Sequence, residues 1–202
     1  NTNITVDTSG IFKGKVIVDS SGVLDLSTNI ISGIGEFRLT KYGTIKIGDP
    51  NGINTSGDTG NVRTYVRNYN YNSHNRGTFI YSGTGAQNTG TGLPSQPDTT
   101  RVLIIDKPSG NLTVNTSNTL HIRDSVYIKS GGFNLGNNDM HLYGNIRKAS
   151  GTSFLHNNRT VVIKGLKGDT LTSENYDEGI AFYNLTISKS ANTDNVLLDT
   201  LT

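Results

Sequence analysis

Two histidines, His121 and His141, stand about 20 residues apart and are the first candidates for chemistry in this sequence. If the chain repeats with a period near that spacing, both imidazoles lie on one face, where Asp139 could complete a set of zinc ligands. The chain has no cysteine and no short His-x-His motif. We therefore expect outward-facing strand residues here and no metal centre.

Charged side chains in the N-terminal part of the chain could supply a hydrolase or lyase site. Polysaccharide-cleaving enzymes place carboxylates and basic groups around the scissile bond. In this sequence the charges stand singly between apolar residues, which is typical of a solvated outer face. The residues concerned are Asp25, Glu36, Arg38, Lys41 and Lys46. We predict no catalytic residue and no enzyme, with a carbohydrate-active enzyme fragment as the alternative.

The stretch GDPNGINTSGDTGN at 48–61 offers hard oxygen ligands between glycines, as Ca²⁺ requires. Its spacing matches neither an EF-hand nor the nonapeptide calcium repeat, and Asp-Pro-Asn-Gly forms turns in any case. Calcium is the one cofactor that the sequence suggests, and we expect no other. The candidate ligands are Asp49, Asn51, Asn54 and Asp58, followed by Asn61.

The main concentration of aromatic and basic residues follows this stretch. Tyr65, Arg67, Tyr69 and Tyr71 alternate, which places them on one face of a strand. Tyrosine rings stack on sugar rings, and arginine pairs with acidic glycans. These four residues are our candidate glycan-binding surface; the alternative is that the tyrosines cover an edge or the end of a coil.

The elements that must position these residues are short strands. Apolar residues alternate over a few positions and then give way to Gly, Asn, Ser or Asp, as in Val16 with Val18 and Leu24 with Leu26. No window keeps the spacing of an amphipathic helix. Asn and Thr, which together make up about a quarter of the chain, suit outer faces and bends. The sequence therefore predicts an all-β fold with almost no helix.

The spacing of the strands favours a solenoid. SGVLDL at 21–26 and YGTIKI at 42–47 share a glycine and two apolar residues around a charged one, at an interval of about 21 residues. That interval fits one coil of a parallel β-helix, in which coils stack about 4.8 Å apart. We predict a right-handed parallel β-helix built from tandem modules. A stack of β-sandwich repeats is the alternative fold.

A similarity over a longer interval indicates the modules. TFIYSG at 78–83 resembles TVVIKG at 160–165, and the same offset also relates Lys107 to Lys189. We assign a first module to positions 1–77 with an insertion near 49–76, a second to 78–159, and a truncated third to 160–202. Repetition of this kind favours a structural role over a unique catalytic site.

Composition excludes several classes of partner. The net charge is +2, with basic and acidic residues spread along the chain, so we expect no nucleic acid to bind. No apolar run reaches the roughly 20 residues needed to span a bilayer. Both ends look cut, and we interpret the chain as a mature or excised piece of a longer protein.

The succession GTIKIGDPNGI, TGNVRT, NYNYNS and YSGTGAQNTGTGLP, followed by VLIIDKPSGNLTV, resembles repeat modules of very large secreted and cell-surface proteins of Bacteroidetes. Many of these are exported by the type IX secretion route. The second copy replaces GTGAQ by KGDTLTSENYDEG, so the module is matched once well and once loosely.

This resemblance implies an extracellular, adhesin-like stalk that gives reach and attaches to a surface or a glycan. Its partners would be neighbouring modules of the same chain, that ligand and the export machinery. It also implies O-glycosylation at Asp-Ser/Thr-apolar triplets, where the candidate acceptors are Ser125, Thr170 and Thr200.

Overall fold

The computed structural model describes residues 3–5, 9–54, 57–63, 77–95, 99–165, 168–175, 178–190 and 195–200. Within these ranges the chain forms a right-handed parallel β-helix, as the sequence predicts. Every strand pair in them is parallel, whereas β-sandwiches are built from antiparallel sheets. None of the described segments is a helix long and apolar enough to cross a bilayer.

The strands are short, except where β10 and β11 continue around corners of the coil. In chain order they are β1 (Asn3–Thr5), β2 (Gly10–Phe12), β3 (Lys15–Val18), β4 (Val23–Asp25), β5 (Ile31–Gly33), β6 (Glu36–Leu39), β7 (Thr44–Ile47), β8 (Thr78–Tyr81), β9 (Gln87–Asn88), β10 (Thr100–Thr113), β11 (Leu120–Asn134), β12 (Met140–Leu142), β13 (Asn145–Lys148), β14 (Ser153–Leu155), β15 (Thr160–Gly165), β16 (Asp169–Ser173), β17 (Asn184–Lys189) and β18 (Val196–Thr200).

These strands form three faces of the solenoid. Face 1 runs through β1, β4, β7, β8, the first part of β10, the middle of β11, β13, β16 and β18. Face 2 contains β2, β5, β9, β14 and the last parts of β10 and β11. Face 3 precedes face 1 in each coil and contains β3, β6, the start of β11, β12, β15 and β17.

The coils near the N-terminus share one period. β4 pairs with β7, β2 with β5 and β3 with β6, always at the same interval in the sequence. Val23 of SGVLDL lies beside Thr44 of YGTIKI, which confirms the period predicted from these two stretches. Because strand residues alternate in direction, this register keeps the same positions inside in successive coils.

The inward positions form continuous apolar ladders. On face 1 each ladder residue lies directly beside its equivalent in the next coil, and each is at most 7% exposed. Burying such a side chain contributes about 2 kcal/mol, so stability comes from many similar increments along the axis. The ladder consists of Leu24, Ile45, Phe79, Leu103, Val126, Ile146 and Leu171.

The predicted insertion interrupts the period between β7 and β8. Thr44 and its partner Thr78 are much further apart in the sequence than the partners in earlier coils. The described part of the insertion is built into the core. Ile53 and Val62 are fully buried, and Val62 forms a parallel bridge to Ile31 of β5. This part of the insertion therefore completes face 2 of an enlarged coil.

The longer similarity does not relate equivalent positions of the solenoid. TFIYSG contains β8 on face 1, whereas TVVIKG forms β15 on face 3. The sheet also continues across both predicted module boundaries, since β7 pairs with β8 and β12 pairs with β15. The two hexapeptides resemble each other because every strand of a coil needs the same inward and outward alternation.

Candidate functional site

A line of cationic and aromatic side chains follows the corner at which the chain passes from face 3 to face 1. The paired residues Thr100, Ile122, Leu142 and Ile163 occupy successive coils at this corner. The residue after each of them therefore lies at this corner in its own coil, about 4.8 Å further along the axis each time, with Arg101 opposite both Arg123 and Asp124 at a register shift. We call the resulting surface the corner stripe; it comprises Arg101, Arg123, Tyr143 and Lys164, together with Lys41, Tyr42 and Asp124.

Tyr42 anchors one end of the corner stripe between two cations. The Nζ of Lys41 lies 4.8 Å and the Cζ of Arg101 5.0 Å from the centre of its ring. The hydrogen bond with Lys41, together with the charges of Lys41 and Arg101, lowers the pKa of the Tyr42 hydroxyl. Arg101 also pairs with Asp124, with 2.7 Å between Nε and Oδ2. Tyr42 is 50% exposed, so its ring is still open to a ligand.

Arg101 reaches Tyr42 across an intervening coil. Gly77 lies in that coil, and its carbonyl accepts the N–H of Val102. A Cβ at position 77 would lie 2.3 Å from a methyl carbon of Leu39, so the packing there has no room for a larger side chain. That Cβ would point toward the buried Leu39, so the glycine is required by the packing beneath the corner.

Tyr143 forms the second aromatic centre of the corner stripe. The Cζ of Arg123 lies 5.1 Å from its ring centre, and the His121 ring approaches it edge-on at 5.9 Å. His121 and His141 pair in register, and their rings stack with centres 4.7 Å apart. The prediction that these two histidines occupy one face of successive coils is confirmed.

The environment of the histidines favours their neutral form. Burial lowers the pKa of His121 to about 4, and the nearby His141 and Lys164 act in the same direction. Burial, followed by Lys164, also lowers the pKa of His141 against the opposing charge of Asp139. Within the described ranges no three His, Asp, Glu or Cys residues form a group that could hold a metal ion.

In the stretch predicted to bind calcium, side-chain amides of asparagine accept hydrogen bonds from the backbone. Asn61 Oδ1 accepts the N–H groups of Gly48 and Asp49 at 3.1 and 2.9 Å. Asn54 Oδ1 accepts the N–H of Thr91 at 2.9 Å. These two side-chain oxygens already have backbone donors within the fold. The Asp49 Oδ1 likewise accepts the N–H of Asn51 at 2.8 Å, and Asp58 is exposed.

The charges considered for an enzyme do not gather at one place. Asp25 and Lys46 form an ion pair on face 1, with 3.0 Å between Oδ2 and Nζ. Glu36 and Arg38 form another on face 3, at 3.6 Å between Oε1 and Nε. Lys41 belongs to the corner stripe. Both carboxylates, Asp25 and Glu36, therefore have a basic partner, and the two ion pairs lie on different faces.

The remaining predicted sites lie on strands or outside the described residues. Ser125 and Thr170 are half-buried residues of β11 and β16, each beside an inward-facing apolar neighbour, and Thr200 is the last residue of β18. The candidate glycan-binding residues Tyr65, Arg67, Tyr69 and Tyr71 lie outside the described ranges. The corner stripe, which the sequence analysis missed, carries the same combination of side chains.

A buried lysine, also missed, lies where the chain turns from face 1 to face 2. Lys107 has no exposed surface, and its Nζ donates to the Gly83 carbonyl at 2.6 Å and to Gln87 Oε1 at 3.0 Å. Gln87 Nε2 in turn donates to the carbonyls of Ile47 and Asp49. Burial lowers the pKa of Lys107 to about 8. The sequence contained a signal for this burial, because the alternation of inward residues in β10 extends to position 107.

Replacing Lys107 by methionine is expected to remove a pH dependence of stability. The usual lysine pKa is 10.5, so between about pH 8 and 10.5 the unfolded chain keeps a proton that the folded chain has released. Stability of the natural chain therefore rises over this interval through Lys107. Urea denaturation measures the free energy of unfolding of both proteins. The value for K107M relative to the natural chain should be highest near neutral pH and should fall as the pH rises toward 10.5.

Lys129→Met is the matched control, since Lys129 is paired with Asp106 at 2.8 Å, and this hydrogen bond raises its pKa. Both the folded and the unfolded chain keep the proton on Lys129 until the pH nears the ordinary lysine value of 10.5. The stability difference between K129M and the natural chain should therefore stay flat from neutral pH up to that point. If the stability difference between K107M and the natural chain is also independent of pH, the lowered pKa of Lys107 is contradicted.

Comparison of this chain with protein families, with curated proteins and with solved structures finds no match.

Proposed function

We propose that this chain is a non-catalytic stalk segment of a much larger, exported bacterial surface protein, of the kind that the Bacteroidetes resemblance implies. Its role is to provide length and to present surface for attachment outside the cell. Export machinery, neighbouring modules of the same chain and a surface or glycan ligand are its partners in this proposal. The solenoid supports it because each coil needs contact only with the coils on either side.

The observation that carries the proposal is that the inward ladders continue into the last described coil and are left open there. Leu185 and Ile187 of β17 pair with the buried Val161 and Ile163, yet they are 39% and 56% exposed. Leu198 of β18, which pairs with a buried leucine of β16, is 74% exposed. A hollow of about 210 Å³, lined mainly by apolar side chains, opens beside it. These three positions carry apolar side chains of the kind that fill the core in the preceding coils.

A further coil of the same chain is the occupant that fits this end. Its strands would continue the parallel pairing of β17 and β18 and cover the three exposed ladder residues. A free strand edge carries N–H and C=O groups that pair readily with another strand. A next coil would therefore bury the apolar side chains and form hydrogen bonds with the free backbone groups. It would also extend the stalk by about 4.8 Å.

Replacing Leu185 and Ile187 together by threonine tests this in two proteins. In the chain described here we expect the double variant to cost less than about 1 kcal/mol, because the side chains are already partly in water. In the full-length protein the cost should rise to several kcal/mol, because a following coil covers them. Stability is measured by urea denaturation, and hydrogen exchange of β17 reports the local effect in the longer protein.

The matched control is the double variant Met140→Thr and Leu142→Thr, which changes the same two ladders where they are fully buried. It should be strongly destabilising in both proteins. If the Leu185 and Ile187 variant is as mild in the full-length protein as in the shorter chain, no coil covers this end and the proposal fails.

A further inference from the structure

We propose that the corner stripe binds an acidic glycan, a linear polysaccharide that carries carboxylate or sulfate groups. This inference rests on the proposed function, since it supplies the ligand that the stalk presents surface for. It concerns the described residues and is separate from the predicted Tyr65 to Tyr71 surface.

The arrangement of the corner stripe suits a linear ligand. Arg101, Arg123, Tyr143 and Lys164 each follow a paired residue of successive coils, and the pairing of β10 with β11 shifts register beside Arg101. The axial spacing of about 4.8 Å places these side chains one after another along the solenoid. Tyr42, which Arg101 reaches across the intervening coil, extends the row toward the N-terminus. A chain of sugars laid along the axis would therefore meet a ring or a cation at each of the four coils from Arg101 to Lys164, and again at Tyr42.

The charge of the corner stripe favours an anion. It contains four cations, Lys41, Arg101, Arg123 and Lys164, against the single carboxylate of Asp124. Asp124 pairs with Arg101 and is 49% exposed, so its pairing is open to competition from solvent and ligand. Exposed ion pairs of this type contribute little to stability. An anionic group on a ligand can therefore take the place of Asp124 at low cost, and the arginine fork binds carboxylate and sulfate well.

The aromatic rings favour a sugar over a nucleic acid. Tyr42 is half exposed, and rings of this kind offer an apolar face with a polar edge, which matches the mixed surface of a pyranose. The neutral histidines beside Tyr143 add no positive charge. The net charge of the whole chain is only +2, whereas nucleic-acid binding depends on a dense basic surface.

Direct binding measurements on the same chain test the proposal. Immobilised protein is titrated with polygalacturonate and with heparin, with neutral dextran as the uncharged comparison. We expect saturable binding of at least one acidic polymer that weakens as salt is raised, and no binding of dextran. The variant Arg101→Gln with Arg123→Gln should weaken binding about tenfold or more, and Tyr42→Ala with Tyr143→Ala should do the same.

The chain offers a matched control on face 1. Tyr127 and Arg147 form the same type of pair, with the Arg147 Cζ 5.1 Å from the ring, but Glu174 neutralises the arginine at 2.6 Å. Tyr127→Ala with Arg147→Gln should leave binding unchanged within about twofold. Circular dichroism melting of all variants shows whether the fold is kept.

Three results would overturn the inference. They are no binding of either acidic polymer, equal losses in the corner stripe and control variants, and binding of duplex DNA as tight as that of the polysaccharides. None of these bears on the exposed ladder ends at Leu185 and Ile187. If glycan binding fails but the threonine variant behaves as expected, the chain is a stalk whose ligand binds elsewhere. If glycan binding succeeds but the threonine variant stays mild in the full-length protein, the chain is a glycan-binding solenoid that no further coil extends.

Discussion

Replacing Asn61 by alanine is expected to lower the free energy of unfolding by about 4 kcal/mol. The side chain is fully buried, and its amide makes four hydrogen bonds to the backbone. Besides its two bonds from Gly48 and Asp49, Nδ2 donates to the carbonyls of Ser27 and Asn29 at 2.9 and 2.6 Å. Alanine leaves these four backbone groups without that partner inside the protein. Equilibrium urea denaturation measures the loss.

Asn145→Ala is the control for this prediction. Asn145 is an exposed strand residue whose Oδ1 accepts one bond, from the N–H of Thr170 at 2.7 Å. Water replaces that bond, so the cost should stay below about 1 kcal/mol. Asn61→Asp should be nearly as harmful as N61A, because a carboxylate cannot donate to the two carbonyls. Equal costs for N61A and N145A would show that the buried amide does not hold the insertion in place.

Replacing Gly90 by alanine is expected to cost about 3 kcal/mol or more. The residue has a φ of +78°, and a Cβ placed there would lie 1.9 Å from the carbonyl oxygen of Ile53. Both the backbone conformation and the space therefore require glycine. The collision is with backbone atoms of the insertion, so relief requires two segments of the core to separate. Urea denaturation gives the global cost, and hydrogen exchange at Ile53 should show the local opening.

Gly85 provides a comparison in the same segment of the chain. Its φ is +68°, but within the described part of the chain no atom beyond its two sequence neighbours lies within 4 Å of the Cβ position. Gly85→Ala should thus cost only the conformational preference, about 1 kcal/mol. The difference between the two variants isolates the close approach of Gly90 to Ile53. If both cost the same, the insertion is not packed against Gly90 as described.

The sequence predicts the coil well, because the coil depends on local alternation and on a short period. Val23 and Thr44 are recognisable as equivalent since the same positions must be apolar in both strands. The same requirement makes strands of different faces resemble each other in sequence. Thr78 and Thr160 begin similar strands on different faces, and alternation alone does not distinguish one face from another.

The polar interior and the corner stripe could not be predicted from spacing. Asn61 resembles a loop residue in sequence, and only the return of the insertion to face 2 makes it a buried residue with four hydrogen bonds. Arg101 and Tyr42 are far apart in the sequence, and the coil that brings them together contains the insertion. Lys107 is the exception, because the alternation of β10 already places it inside.

The direction of the hydrogen bonds between coils has a mechanical consequence. They run along the long axis, so a pull on the two ends of the solenoid loads the bonds of one end coil at a time rather than all of them together. A coil of about 21 residues occupies about 4.8 Å of the axis but releases up to about 70 Å of chain when it detaches. Under tension such a segment is expected to lengthen stepwise and to dissipate work at each step, which would cushion sudden loads in the stalk role that we propose.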